Sequence, residues 1–428
     1  MPSRVGTSHR HADSAESELL RSVARVTLAT TDIERASAAL RRGIAWPRFI
    51  PLAHHHGVLP LLHRHLTAGA LDPRLVPDAA RASLRQEAER TARRSLLLSG
   101  ELAVLLRDLD AAGIQAVCLK GPTLAQQLYG NVALRRFSDL DLIVAEADIE
   151  RATAIISHCG YSAAPEALAM SDARRRDAHH DVTLFSQSRT HRVELHYYLL
   201  QPYGRRRYTM DSIAGEIERV SFQAGSAYVL TPELLLVYLT VHGTQHAWGR
   251  LEWVTAVAEL LRSGRVVDWD AVDGFAVRLD AGRVLRAGLR IARDLLDAPE
   301  PPREASRQFS NDAAAQSAAR AIVTRLRRTP YRRPSRLAVL AHQVRTDATM
   351  RDRASRLWVV LAVPGEADVA SIRLPHVMRP LYYLLRPPRL LVRWMRGAGR
   401  PRPVSDERSL IAPPAGVGPM PSRSVEER

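Results

Sequence analysis

Apolar residues at helical spacing dominate the first quarter of the chain. Residues 18–45 and 48–69 carry Leu, Ile and Val side chains three and four positions apart, the period of one helix face. The triplet from Thr30 to Asp32 is typical of a helix start. Residues 79–112 form a longer amphipathic stretch that stops at Gly113, a residue suited to a helix C-cap. The pattern predicts a helical N-terminal region, with one helix over 48–69 and a long one before Gly113.

The period of the pattern changes after Gly113, where short apolar runs alternate with short helical segments. The spacing predicts strands over residues 114–119 and 140–144, and helices over 122–129 and 148–158. Two further strands are predicted, over 182–186 and 191–197, with a polar turn between them. Strand, helix, strand, helix and hairpin predict a small α/β or α+β sheet domain.

Helical spacing returns at Thr231 and is followed by a region rich in arginine and proline. Four helices are predicted, over residues 234–248, 251–262, 269–279 and 281–296. Residues 299–303 read as a linker. The tail from Gly397, rich in Pro, Ser, Arg and Gly, is predicted to be disordered.

The predicted fold class is α+β, with a small mixed-sheet core flanked by N-terminal and C-terminal helical regions. A chain of 428 residues exceeds one ordinary hydrophobic core, so several units are expected. We divide it into an N-terminal helical region, an α/β core, a helical domain, an arginine-rich basic region and a tail, with boundaries at 1–95, 96–230, 231–300, 301–396 and 397–428.

The positive charge of the chain is concentrated near its C-terminus. The formal net charge is +16, and residues 301–400 hold 20 Arg against six acidic residues, a local excess of +14. The first 300 residues sum to about +2, so the basic character belongs to the C-terminal region and not to the α/β core.

Cysteine use and hydropathy predict a cytoplasmic protein. The two cysteines, Cys118 and Cys159, lie in apolar surroundings, which is typical of reduced thiols in a reducing compartment. The first 17 residues lack the apolar core of a signal peptide. No apolar run reaches the roughly 18 residues of a membrane span, so we predict no transmembrane segment.

Residues 374–396 interleave apolar and aromatic side chains with arginines. Three interpretations stay open for this basic amphipathic pattern: a helix docked on the core, a peripheral contact with an anionic membrane surface, or a contact with nucleic acid. Pro380, Pro387 and Pro388 are expected to break any long helix in this segment.

Lys120 is the only lysine among the 61 Lys and Arg residues, and it stands directly before Gly121 and Pro122. Lysine is a compact point charge, whereas arginine is a planar fork, so a retained lysine beside a glycine turn indicates a specific partner. Pro122 suits a first helical position, where its missing N–H costs nothing. The free amides of that helix N-terminus, with Gly121 permitting close approach, suit a phosphate. The alternative is an ordinary strand-to-helix turn.

Asp139 and Asp141 stand two apart on a predicted strand, so both side chains leave the same face. Two adjacent carboxylates on a buried face are costly without a cation, and Mg²⁺ prefers carboxylates together with substrate phosphates. Glu194, with His196 on the same strand face, would add a third carboxylate and complete a two-metal phosphoryl-transfer site. The alternatives are a solvated strand start for the pair and a surface acid for Glu194.

Together these residues resemble the uncharacterised bacterial nucleotidyltransferase family of the DNA-polymerase-β-like superfamily. The resemblance covers about residues 18–300 and rests on motifs that occur in the family's order. These are Leu119-Lys120-Gly121, Leu128-Tyr129-Gly130, Arg135, Asp139-Leu140-Asp141-Leu142, Val193-Glu194-Leu195-His196, and the stretch from His242 to Trp253.

The resemblance implies roles for the acids and for the turn. Asp139 and Asp141 would bind the catalytic metals, and Glu194 would match the third acid, which helps to activate the acceptor hydroxyl. The nucleotide phosphates would be held by the turn and its neighbours, namely Lys120, Gly121, Thr123 and Arg135.

Two positions depart from the family's pattern. The superfamily's Gly-Ser pair is Gly121-Pro122 here, which removes a serine hydroxyl from the phosphate side. Ala256 stands where the later helix usually carries an acid, which concerns a contact on the acceptor side. Neither departure involves the metal-binding acids.

Three histidines are candidates for the acceptor side of the site: His196, His242 and His246. His242 and His246 stand four apart and share one helix face, which would also suit zinc. A third zinc ligand is not evident, so a position in the core or lining a cleft is favoured.

The predicted function is a metal-dependent nucleotidyl transfer, in which an NTP and an acceptor hydroxyl give a nucleotidylated acceptor and pyrophosphate. The expected cofactor is Mg²⁺, as two ions, with Mn²⁺ as an alternative. The expected partners are the NTP and a hydroxyl-bearing acceptor. Two other hypotheses stay open: a catalytically inactive nucleotide-sensing or interaction protein, and a basic adaptor for membrane or nucleic acid.

Overall fold

The computed structural model describes residues 14–163, 181–188, 191–200, 208–302, 312–328, 334–347, 349–362, 378 and 381–397. Helices surround one mixed sheet, so the predicted α+β class with flanking helical regions is confirmed. The tail beyond residue 397, predicted to be disordered, lies outside the described residues.

The N-terminal region is helical, as predicted. Its helices are α1 (Ala15–Ser22), α2 (Thr30–Arg41), α3 (Trp46–His55), α4 (Leu59–Thr67) and α5 (Asp78–Ala111). The start signal is confirmed, because α2 begins at Thr30 and the Asp32 carboxylate accepts a hydrogen bond from Ala29 N at 2.9 Å. The single helix predicted over 48–69 is wrong. Gly57, at φ +71°, separates α3 from α4, and a Cβ there would overlap the side chain of Glu252.

Within the described ranges, the sheet has seven strands in the order β3-β4-β5-β2-β1-β7-β6. The strands are β1 (Val117–Cys118), β2 (Asp139–Ile143), β3 (Tyr161–Ala163), β4 (Asp181–Ser186), β5 (Arg192–His196), β6 (Ile217–Phe222) and β7 (Gly225–Leu230). The pairs β2–β5 and β1–β7 are parallel, and the other pairs are antiparallel. Two helices connect its first strands, α6 (Pro122–Tyr129) after β1 and α7 (Ile149–His158) after β2.

Strand β1 is shorter than the predicted 114–119, for a local reason. Ile114 is buried because it closes the end of α5, where its N–H donates to Leu109 O at 2.9 Å. Its burial therefore belongs to the helix terminus and not to a strand. The hairpin of β6 and β7 was not predicted, and only one residue of β6, Phe222, is buried.

The register of β2 and β5 sorts their side chains between two cores. Asp141 pairs with Glu194, and both point to the same face, since paired residues of neighbouring strands share a face. The alternate positions Leu140, Leu142, Val193 and Leu195 pack into the core on the other face, against α5 and α7. The acid-bearing face of the sheet therefore turns toward the helices of the second half of the chain.

Four helices follow the sheet: α8 (Pro232–Gln245), α9 (Leu251–Arg262), α10 (Trp269–Arg278) and α11 (Gly282–Leu296). Trp248, between α8 and α9, is fully buried, as expected of a core tryptophan. A Cβ at Gly243 would lie 2.6 Å from the Trp248 ring, so this glycine lets the indole pack against α8. The packing fixes the end of α8, which carries His242.

The arginine-rich region continues the helical part of the fold. Its described helices are α12 (Ala313–Arg328), α13 (Arg336–Thr346), α14 (Met350–Ala362) and α15 (Leu381–Gly397). Ala319, Ile322 and Leu326 of α12 are buried in the same core as α8 and α11. The expected break at Pro387 and Pro388 is wrong, because α15 runs through both prolines. Among the described helices, none is long and apolar enough to cross a membrane.

Candidate active site

The turn from β1 into α6 carries the lone lysine. Gly121 adopts φ +73°, a left-handed conformation that favours glycine, and Pro122 occupies the first turn of α6. The amide N–H groups of that first turn have no partner within the helix. The predicted strand, glycine turn and helix are therefore present, with Lys120 at the last position before the turn.

Lys120 reaches from this turn across the acid-bearing face of β2. Its Nζ lies 3.0 Å from Asp141 Oδ1 and 3.4 Å from His242 Nδ1, and its side chain is 11% exposed. Burial alone would lower the pKa of Lys120, but the neighbouring carboxylates, Asp141 first among them, outweigh it and raise that pKa. The ammonium therefore stays charged and holds β2 against the turn and α8.

Asp141 is the most buried of the three candidate acids. It is 2% exposed, and its Oδ1 also lies 3.4 Å from His196 Nε2. Burial acts to raise the pKa of Asp141, but Lys120 and His196 together hold it well below its usual range. Its second oxygen, Oδ2, is buried and accepts no hydrogen bond from the described part of the chain. An ionised carboxylate with such an oxygen has the capacity for a further cation.

Arg192, a residue that the sequence reasoning missed, joins the other two acids. Its Nη2 lies 2.8 Å from Asp139 Oδ2, and its Nε lies 2.7 Å from Glu194 Oε1. The pKa of Arg192 is lowered by burial but raised more strongly by Glu194 and Asp139, with a net rise. A signal existed in the sequence, because Arg192 stands two residues before Glu194 and so shares its strand face.

Glu194 lies on β5 beside Asp141. Its pKa is raised to about 7, first by burial and then by the negative charges of Asp141 and Asp139. His196, on the same face of β5, is 3% exposed. Burial lowers the pKa of His196, but the Asp141 carboxylate raises it more strongly, so the net change is a rise. The three acids predicted from the sequence thus share one face of neighbouring strands.

One group of side chains is placed to hold a metal ion in the described part of the chain. It consists of Asp141, Glu194 and His196, whose ligand atoms all lie within 4.8 Å of one another. Asp139 is not in this group, and its carboxylate is held by Arg192. The buried Asp141 oxygen without a hydrogen bond lies in this group, so the residues fit a divalent cation.

Two residues predicted to bind nucleotide support the turn in this structure. The hydroxyl of Thr123 donates to Lys120 O at 3.3 Å, and Thr123 is buried. Arg135 is also buried, with its Nη1 3.5 Å from Gly121 O. Both side chains thus contact the backbone at the ends of the turn, where they fix the position of Lys120.

An aromatic wall, formed by Tyr238, His242, His246 and Trp253, lies next to Lys120. The His246 and Trp253 rings are stacked with centroids 5.0 Å apart, and the His242 ring meets Trp253 edge-on at 5.7 Å. The pKa of His242 is lowered well below its ordinary value by burial and by Lys120, and the same causes lower the pKa of His246 to about 4. Both imidazoles are therefore neutral at pH 7.

The zinc alternative for these histidines finds no support. Within the described residues, neither His242 nor His246 belongs to a group of three metal-binding side chains. The two rings lie with centroids 4.8 Å apart and are packed among aromatic neighbours. They line the side of the site opposite the sheet.

Comparison with known proteins identifies the family. A family model described as an uncharacterised nucleotidyltransferase matches residues 42–297, more than half of the chain. The chain belongs to this nucleotidyltransferase family. No curated protein and no solved structure matches it significantly.

The match confirms the resemblance read from the motifs. It includes the turn with Lys120, the acids of β2 and β5, and the aromatic wall. It ends at Asp297, directly after α11, so the helices from α12 onward lie outside the family region. Family membership supports nucleotidyl transfer as the class of reaction.

Proposed function

We propose that this protein transfers a nucleoside monophosphate from an NTP to an acceptor hydroxyl and releases pyrophosphate, in a metal-dependent reaction. One observation carries the proposal: Asp141 and Glu194 stand side by side on paired strands, directly below the Lys120–Gly121 turn. A pair of buried acids beside a cation and a helix N-terminus suits a metal-bound polyphosphate.

The turn and the acids divide the binding of the nucleotide between them. Lys120 and the N-terminus of α6 would contact the triphosphate, because both present positive charge at the same edge of the sheet. Asp141 and Glu194 would hold the divalent ion, with Asp139 beside them. When bound, the ion neutralises charge on the phosphates.

Glu194 is the residue of the site best suited to take the acceptor's proton. Without a bound ion its pKa is raised to about 7, first by burial, and a bound ion favours the ionised form, which is the form that accepts a proton. The acceptor oxygen attacks the α-phosphorus, the bond from that phosphorus to the bridging oxygen breaks, and pyrophosphate leaves with the electron pair. The hydroxyl proton passes to the Glu194 carboxylate.

The aromatic wall supplies the remaining side of the site. His242 and His246 are neutral and stand opposite the acids, so they add no charge that competes with the metal. Neutral imidazoles and an indole suit hydrogen bonding and stacking with an acceptor or a base. His196 lies deeper, against Asp141, and is less accessible to an acceptor.

A second candidate function, nucleotide sensing without transfer, is favoured by one contact. Arg192 neutralises Asp139 and Glu194 at once, which weakens the negative field that attracts a metal. In that case an NTP would bind to the turn, and no pyrophosphate would form.

One experiment separates the two functions. Each common NTP is added with Mg²⁺ or Mn²⁺ to the purified protein, and both the melting temperature and pyrophosphate release are measured. A transferase raises its melting temperature with one NTP and releases pyrophosphate once an acceptor is present. An extract of small molecules and proteins serves as the source of acceptors. A sensor gives the rise in melting temperature but releases no pyrophosphate, even with this extract.

A further inference from the structure

The metal group contains an imidazole, and this bears on which ion the site selects. His196 lies on β5 two residues after Glu194, and its Nε2 points at Asp141 Oδ1 from 3.4 Å. It is 3% exposed, so solvent does not compete for the ring. Mg²⁺ favours oxygen ligands, whereas imidazole nitrogen suits first-row transition metals.

The three donors are close enough to share one ion. The ligand atoms of Asp141, Glu194 and His196 lie within 4.8 Å of one another. Metal–ligand bonds of roughly 2.0 to 2.3 Å place donors on opposite sides of one ion about 4 to 4.6 Å apart, so only small side-chain movements are needed. The buried Oδ2 of Asp141, which accepts no hydrogen bond from the described residues, supplies a donor that is otherwise unsatisfied.

The place next to Asp139 is taken by a cation of the chain itself. The Arg192 guanidinium bridges Asp139 and Glu194, with contacts of 2.8 and 2.7 Å. A second divalent ion between Asp139 and Asp141 would lie between this guanidinium and the Lys120 ammonium. Two fixed positive charges within a few ångströms oppose such an ion.

We propose that the site holds a single first-row transition-metal ion on Asp141, Glu194 and His196, in preference to a pair of Mg²⁺ ions. His196 is the ligand that sets the preference, and Arg192 stands in for the second ion. The inference deepens the proposed function and rests on its metal dependence, but it concerns the ion and its ligands and not the reaction.

Mn²⁺ binding to the metal-stripped, full-length protein tests the inference directly. Free Mn²⁺ is counted by electron paramagnetic resonance, which gives the number of ions bound, and Mg²⁺ is added as the competitor. Echo-modulation spectroscopy of the bound Mn²⁺ then reports whether a nitrogen is coordinated. We expect one Mn²⁺ per chain, held at least about tenfold more tightly than Mg²⁺, with a clear nitrogen modulation.

Matched variants assign the nitrogen. His196→Asn should remove the modulation and weaken Mn²⁺ binding by about tenfold or more, with little effect on Mg²⁺. His158→Asn, the same change at an exposed histidine at the end of α7, should leave both unchanged. If His196→Asn does not fold, the wild-type protein gives a second test. Labelling its histidines with ¹⁵N must change the nitrogen modulation frequency of the bound Mn²⁺ relative to unlabelled protein.

Several results would overturn the inference. They are bound Mn²⁺ without nitrogen modulation, two Mn²⁺ ions per chain, or equal affinity for Mg²⁺ and Mn²⁺. Failure of the proposed function looks different: the nitrogen signal would be present, and no NTP would yield pyrophosphate. Pyrophosphate release without a nitrogen signal would overturn the inference and leave the proposed function standing.

Discussion

The ammonium of Lys120 and the carboxylate of Asp141 form a buried ion pair, with 3.0 Å between Lys120 Nζ and Asp141 Oδ1. The pair links the glycine turn to the centre of the sheet. The ion pair fixes the position of the Lys120 ammonium, so that this one charged group lies beside the acids and beside the expected position of the phosphates.

Lys120→Arg tests whether the shape of this cation matters. The guanidinium keeps the charge but is wider than the ammonium, in a place where the side chain is only 11% exposed. A misplaced donor to the transition state typically costs on the order of 10² to 10³ in rate. We expect a folded variant with strongly reduced pyrophosphate release. Wild-type activity in this variant would show that the reaction needs a positive charge at position 120 but not the shape of lysine.

Asp141→Asn should destabilise the fold as well as remove metal binding. The lowered pKa of Asp141 means that the folded state favours its ionised form, so its stabilising effect is present above the ordinary carboxyl pKa and is lost as the pH falls through the lower, folded value. Removal of one partner of a buried pair typically costs about 3 to 5 kcal/mol. Denaturant unfolding measures the change.

The double variant Lys120→Met with Asp141→Asn is the control for that measurement. It removes both charges, so it should recover part of the stability that either single change loses. Additive losses would mean that the two side chains do not interact in solution.

Arg192→Gln should raise the affinity for metal and lower the stability of the metal-free protein. Without the guanidinium, Asp139 and Glu194 repel each other until a cation binds. We expect about tenfold tighter Mn²⁺ binding, comparable in size to other effects of residues around a metal site. Arg192→Lys, which keeps the charge, is the matched control. Weaker Mn²⁺ binding in Arg192→Gln would contradict this role.

Glu194 should make the metal-free protein less stable at higher pH. Its folded pKa, about 7, exceeds that of an ordinary glutamate, so its contribution is complete below the unfolded pKa and is lost as the pH rises through about 7. A bound divalent ion favours the carboxylate, so the added ion should remove this loss. Melting temperatures from about pH 5 to 8, with and without Mn²⁺, measure both effects. Glu194→Gln should show neither.

Arg325 connects the basic C-terminal region to the two residues that follow His246 of the aromatic wall. Its Nη2 donates to the carbonyl oxygens of Ala247 and Trp248, each at 2.7 Å, directly after His246. Arg325→Ala leaves these carbonyls without that donor, which we expect to cost about 1 to 3 kcal/mol of stability, with metal affinity unchanged. Arg320→Ala, at an exposed position of the same helix, is the control and should change neither.

The sequence was sufficient to predict the elements whose pattern is local. The helix at 122–129 and the strand acids Asp139 and Asp141 follow from period and from proline and glycine positions. The break between α3 and α4 was missed because Gly57 is required by Glu252, which is almost two hundred residues away. A local pattern contains no information about such a partner.

The site itself depended on strand pairing, which the sequence did not specify. The parallel pairing of β2 and β5 sets Asp141 opposite Glu194 and Asp139 opposite Arg192. From periodicity alone the acids share a face, but which acid meets which cation depends on the register. The same register placed His196 beside Asp141, a contact that the sequence did not predict.

Transfer of a labelled nucleotide is the most direct test of the account. The protein is incubated with α-³²P-labelled NTPs, Mn²⁺ or Mg²⁺, and an extract of small molecules and proteins as acceptors, beside Asp141→Asn. We expect label covalently attached to an acceptor and an equal amount of pyrophosphate, both absent with Asp141→Asn. Bound NTP with no labelled product and no pyrophosphate, for every NTP and either metal, would contradict it.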